Sequence, residues 1–231
     1  MVWAADVEPF EFANMMEQIG DSEGLVGVKI GFEVGLGVGL KEATRIVRAN
    51  SHARVQYDHQ KAGNDIADTS VNFVRAMAYG NVDSAILFPF TGPKAQAAWT
   101  HGLQAEGINV FTGAEMTHEG FTENEGGSLS QEDMERIMDL ALDLNVTDFI
   151  VPGNKPDRVR FWRERIEAVR GVGKYALASP GLISQGGDIT EGGAAAGKLW
   201  TPIIGRSIHA NEKMTPPQAI AFYTEQLRAA A

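Results

Sequence analysis

The segment Arg54-Val55-Gln56-Tyr57-Asp58-His59-Gln60-Lys61-Ala62-Gly63-Asn64-Asp65-Ile66 begins as a short strand-like run, ends in a knot of charge and leads into a helical pattern over 66–79. A strand with a polar far end, followed by a helix, is the unit that decides the fold. Acids and a lysine crowd together in this way where they hold one another's ionisation states in place.

Outward from that segment the unit recurs. Strand patterns fall at 2–5, 25–30, 54–57, 84–88, 109–112, 149–151, 174–178 and 201–204. Helical patterns at 8–19, 40–49, 66–79, 93–106, 131–144, 157–169 and 216–230 separate them. Helix openings are marked by Asn64-Asp65, by Ser130 with Asp133 three residues on, and by Pro216-Pro217. The stretch 191–196 fits either a short helix or a loop. Eight such units in 231 residues predict one closed (β/α)8 TIM barrel over 1–231, a fold that typically takes about 250 residues. The competing architecture, a doubly wound open sheet, would carry a glycine-rich turn after its first strand. Here Asp6-Val7-Glu8-Pro9 follows instead.

Bulk composition narrows the function. With 44% hydrophobic residues the chain can bury a full core. A net charge of −10 argues against nucleic acid and anionic membranes as partners, because both need a basic face. There is no cysteine, which excludes disulfides and thiolate metal sites. No apolar run approaches the roughly 20 residues of a membrane span, and the start lacks a secretory pattern, so a soluble cytoplasmic protein is expected. The histidines, His52, His59, His101, His118 and His209, fall in no metal-ligand spacing, so no metal site is expected.

In a barrel the C-terminal strand ends face the active-site mouth. They carry Asp6, Lys29, Asp58, Gln185 and Arg206. Lys29, between Val28 and Ile30, would be costly to bury without a carboxylate. Asp58 and Asp65 are its natural partners. A lysine held beside acids keeps a raised pKa, so it can stabilise a carbanion as a cation and then protonate it. The loops Ser179–Asp188 and Gly205-Arg206-Ser207 suit a phosphate, through glycine N–H groups and an arginine fork. Together these features point to an enzyme acting on an anionic phosphate ester.

The same residues, spread over nearly the whole chain, resemble the orotidine 5′-monophosphate decarboxylase family. The resemblance rests on Ala4-Ala5-Asp6, Val28-Lys29-Ile30-Gly31, the Asp/Lys/Asp-Ile cluster at 58–66, the loop Pro180–Asp188 and the turn Gly205–Ile208. It implies conversion of orotidine 5′-monophosphate to uridine 5′-monophosphate and CO2 without metal or organic cofactor. Asp6 and Lys29 would then bind ribose hydroxyls, and Asp58 would sit against the departing carboxylate. Lys61 would stabilise and protonate the C6 carbanion. Asp65 and Thr69 would reach the other subunit's site, which implies a homodimer with shared active sites. Gln185, Gly205 and Arg206 would hold the phosphate, and Thr117 would read the pyrimidine edge.

The chain departs from the family in one respect. Its cluster is Asp58-x-x-Lys61-x-x-x-Asp65, one residue longer on each side of the lysine than the usual Asp-x-Lys-x-x-Asp. Residues two apart on a strand share a face, whereas residues three apart do not, so a bulge or added turn is expected there. Two alternatives follow. One is a magnesium-dependent sugar-phosphate decarboxylase or aldolase of the same superfamily, which would want an acid where Lys29 stands. The other is a nucleotide-binding barrel without catalysis.

Overall fold

The computed structural model describes residues 1–60 and 64–230. Its eight parallel strands are β1 (Val2–Ala5), β2 (Gly27–Ile30), β3 (Arg54–Asp58), β4 (Ser84–Leu87), β5 (Asn109–Gly113), β6 (Asp148–Ile150), β7 (Ala176–Ser179) and β8 (Trp200–Ile204). They pair in chain order and β8 returns to β1, closing the barrel and ruling out the open sheet.

Outside the barrel run α1 (Phe12–Ile19), α2 (Phe32–Val34), α3 (Leu40–Asn50), α4 (Ser70–Gly80) and α5 (Pro93–Ala105). They are followed by α6 (Gln131–Asp143), α7 (Pro156–Arg170), α8 (Ile189–Ala196), α9 (Arg206–His209) and α10 (Pro216–Ala230). Among the described residues no helix is long and apolar enough to cross a membrane.

Alternation along each strand creates two apolar layers. Val2, Ala4, Ile86, Ile150, Ala178 and Ile203 point inward and form one buried cluster inside the barrel. Their neighbours, such as Trp3, Val28, Val55, Leu87, Phe149 and Ile204, point outward and meet the helices in a second, larger cluster. The inward set is where polar residues intrude. Ala4, Lys29 and Gln56 are register partners across β1, β2 and β3, so Lys29 sits in the inner layer.

The local signals fare unevenly. Ser130 and Asp133 form the expected capping box at the start of α6. The ambiguous stretch at 191–196 is helical within α8, because the Asp188 carboxylate accepts the N–H groups of Thr190 and Glu191 at 2.7 and 2.9 Å. Asn64-Asp65, by contrast, opens no helix. Ile66 is extended, a 3-10 turn occupies Ala67–Thr69, and α4 starts only at Ser70. The two side chains have other partners: Asn64 Oδ1 accepts from the Phe90 N–H, and Asp65 Oδ1 from the Ile66 N–H. The β3–α4 connection is thereby stitched to the β4–α5 connection instead of capping a helix.

Candidate active site

A cavity of about 210 Å³ opens at the C-terminal ends of the strands. On the side of β1 to β3 its wall is made of charged side chains. The Lys29 ammonium lies 3.0 Å from Asp58 Oδ2 and 3.7 Å from Asp6 Oδ1. Its side chain is only 7% exposed, against 14% for Asp58 and 45% for Asp6. Burial pushes the Lys29 pKa down, but the attraction of Asp58 and Asp6, with the hydrogen bond to Asp58, outweighs it and the net shift is upward. Lys29 is therefore a fixed cation at neutral pH. The acid completing its environment is Asp6 from β1, and Asp65 is not part of it.

The β3 strand end departs from extended geometry at Gln60. This residue adopts φ 49°, in the left-handed region, and its N–H donates to Asp58 Oδ1 at 2.9 Å. The chain thus bends at Gln60, directly after the strand. Lys61 lies outside the described residues. Asp65 is exposed and outside this cavity, and Thr69, half-buried, donates its hydroxyl to the Ile66 carbonyl.

On the opposite side the wall comes from the β7–α8 and β8–α9 connections, where Gln185, Gly205 and Arg206 line the cavity together with Gly181 and Ser184. Gly181 is in the left-handed region at φ 91°, and a Cβ there would stand 2.7 Å from Thr117 Cγ2. Only a glycine lets that loop close against the β5–α6 connection. Thr117 itself lines the cavity, and its carbonyl accepts from the Asn154 side chain at 2.9 Å.

The sequence reading does not single out Glu115, which follows β5 and lines the same cavity. It is buried; its Oε2 and Oε1 accept from Arg158 Nε at 2.7 and 3.0 Å, and Oε2 also accepts the Trp162 indole N–H at 2.8 Å. Lys155 ties Glu125 to the same region at 3.1 Å. This network fastens the β5–α6 connection, and with it Met116 and Thr117, to the start of α7. A charged residue immediately after a barrel strand was the available signal, the same one that marks Asp6 and Asp58.

The site is thus a buried lysine between two aspartates at the mouth of a closed (β/α)8 barrel, facing glycine-rich loops after β7 and β8. No protein-family model matches the chain. Curated relatives do. The orotidine 5′-phosphate decarboxylase of Methanosarcina mazei is 28% identical over 230 residues, covering 99% of this chain and 95% of that protein. That of Methanococcus maripaludis is 29% identical over 207 residues, covering 89% and 87%. Among solved structures, the orotidine 5′-monophosphate decarboxylase of Methanocaldococcus jannaschii complexed with the inhibitor BMP superposes with a TM-score of 0.82 at 21% identity, covering 98% and 97%. The Pyrococcus horikoshii enzyme gives 0.78 at 22%, covering 99% of each chain, and these two likenesses establish the fold. The chain is thus related along its whole length to the orotidine 5′-phosphate decarboxylase family, as the sequence motifs imply.

Proposed function

We propose that this protein decarboxylates orotidine 5′-monophosphate to uridine 5′-monophosphate, a step of pyrimidine biosynthesis, in the cytoplasm and without a cofactor. The observation that carries this reading is the buried Lys29 ammonium held between Asp58 and Asp6, at the same barrel mouth as the Gln185 and Gly205-Arg206 loops. The phosphate binds the loops, and the ribose hydroxyls meet Asp6 and Lys29. This places the pyrimidine over the inner apolar layer, with Thr117 at its edge. The C6–carboxylate bond then breaks heterolytically. CO2 departs, its bonding pair stays on C6, and the Lys61 ammonium stabilises that pair and transfers a proton to it. Asp58, adjacent to the leaving carboxylate, keeps both lysines ionised through the charge alternation Asp6, Lys29, Asp58, Lys61.

A homodimer belongs to this reading. Asp65 is exposed, and Ile66, Val71 and Tyr79, on the β3–α4 connection and α4, are exposed apolar side chains. A second copy covering them would bring Asp65 and Thr69 to the partner's cavity. Contacts to the phosphate, remote from the bond that breaks, supply the binding energy that closes the loops.

The test is a spectrophotometric assay with orotidine 5′-monophosphate, run with and without a chelator. Turnover that withstands the chelator is expected. Turnover abolished by it would favour the magnesium-dependent alternative, and nucleotide binding without turnover would favour the non-catalytic barrel.

A further inference from the structure

Gln60 stands two residues beyond Asp58, in a cavity wall otherwise made of full charges, and the proposed mechanism assigns it nothing. Four observations single it out. It is a non-glycine residue in the left-handed region, where a long side chain is disfavoured unless its surroundings hold it there. What holds it is Asp58, whose Oδ1 accepts the Gln60 N–H while Oδ2 accepts from Lys29. Its side chain lines the cavity, yet among the described residues its Oε1 is buried and accepts no hydrogen bond. A buried acceptor without a partner is costly until a ligand or water meets it. Finally, its amide shares one space with Asp6. A Cβ on Gly31 would fall 2.7 Å from Asp6 Oδ1 and 3.7 Å from Gln60 Nε2, so the absence of a side chain at Gly31 keeps that space open.

We propose that Gln60 is a substrate-contacting, specificity-determining residue that recognises the vicinal diol of the ligand's ribose. The assignment rests on the nucleotide reading above and follows from donor and acceptor chemistry. An ionised aspartate only accepts, and a lysine ammonium only donates. Each hydroxyl of a diol can do both, so two neighbouring hydroxyls leave one donor and one acceptor over once Asp6 and Lys29 are engaged. A carboxamide supplies the complement of that pair from a single planar group, once its terminal torsion turns the buried Oε1 to the hydroxyl. A phosphate placed there would be repelled by the neighbouring Asp6. The hydrogen bond to Asp58 fixes the Gln60 backbone before the ligand arrives, which reduces the ordering lost on binding.

The experiment is calorimetric titration of the full chain with uridine 5′-monophosphate and with its 2′-deoxy and 3′-deoxy counterparts. It is repeated on Gln60→Gly, which suits the left-handed backbone and so should fold, and on Gln60→Met, which keeps the side-chain length. The wild type should prefer the ribonucleotide over at least one deoxy form. Both variants should bind the ribonucleotide roughly five- to tenfold more weakly, the loss of about one hydrogen bond, and should bind that deoxy form as the wild type does. Unchanged affinity and discrimination in both variants overturns the assignment, as does an equal loss for all three ligands. If the wild type itself fails to bind uridine 5′-monophosphate, the nucleotide reading falls and the ribose assignment with it, an outcome distinct from either of those.

Discussion

The two sides of the cavity are built by different means. Toward β1, β2 and β3 the wall is side chain: Lys29 and Asp58 stand on the adjacent strands β2 and β3, and Asp6 follows β1 directly. Toward β7 and β8 the wall is largely backbone, made of turns that close because Gly181 and Gly205 lack side chains. A Cβ on Gly205 would lie 3.3 Å from that of Ala4. Charge that must not move is carried by strands, whereas an anion that must enter and leave is met by loops. Each side also holds one bulky residue in the left-handed region, Gln60 on the first and Ile183 on the second. Among the described residues the other non-glycine ones there are Asn81 and Asn145, a type that tolerates it at turns. Strain at this barrel mouth therefore sits in the β3–α4 and β7–α8 connections, two of those that line the cavity.

That contrast can be broken or sharpened by substitution. Lys29→Met should have the largest effect, because it removes a buried cation and leaves Asp58 facing Asp6 without compensation. A fall in kcat/KM of at least about 10³-fold, or ~4 kcal/mol, is expected by steady-state kinetics. A change confined to KM would make the charged side a binding wall like its opposite. Arg206→Ala should act through affinity: uridine 5′-monophosphate should bind roughly 10- to 100-fold more weakly, as befits lost charge-assisted hydrogen bonds. Binding of uridine, which lacks the phosphate, should not change, and equal losses for both ligands would remove Arg206 from the phosphate side.

The smallest effect concerns how the β8–α9 turn is anchored. The Trp3 indole donates to His209 Nδ1 at 3.3 Å, a bond that exists only while the imidazole is neutral, since an indole N–H cannot accept. Burial lowers the His209 pKa below its ordinary value of 6.5, against the pull of Asp6 and Glu11 and together with the repulsion of Arg206. The native state therefore binds fewer protons than the unfolded chain near that pH. This contribution to stability is complete above about pH 6.5 and is lost as pH falls toward the depressed native value. Urea denaturation at pH 7.5 and pH 5.5 should show a smaller pH-dependent loss in His209→Gln, which keeps an acceptor for Trp3 but does not titrate. An identical loss in variant and wild type would assign the pH dependence to other groups.

The barrel was legible because strand and helix periods alternate cleanly, and because Lys29 in a β-forming run has no inexpensive explanation. Asp6, Asp58, Thr117, Gln185, Gly205 and Arg206 come together as the strand-end rule requires. Other features depend on partners remote in sequence. Arg158, 43 residues from Glu115, makes that carboxylate's burial tolerable, and no local pattern reports such a pair. Asn64-Asp65 resembles a helix cap, but tertiary hydrogen bonding to Phe90 wins over local propensity. The π-helical turn Gly35–Gly39 is equally silent, because its glycines carry no apolar period, and a Cβ on Gly35 would stand 2.9 Å from the Tyr57 ring.

The central claim is that a lysine ammonium, kept charged by the Asp6–Lys29–Asp58 array, meets the electron pair left by departing CO2. The direct measurement is turnover of orotidine 5′-monophosphate by Lys61→Ala at saturating substrate, alongside calorimetric binding of uridine 5′-monophosphate. The account predicts that decarboxylation disappears while product binding stays within a few-fold of wild type. Near-wild-type turnover by that variant would contradict it.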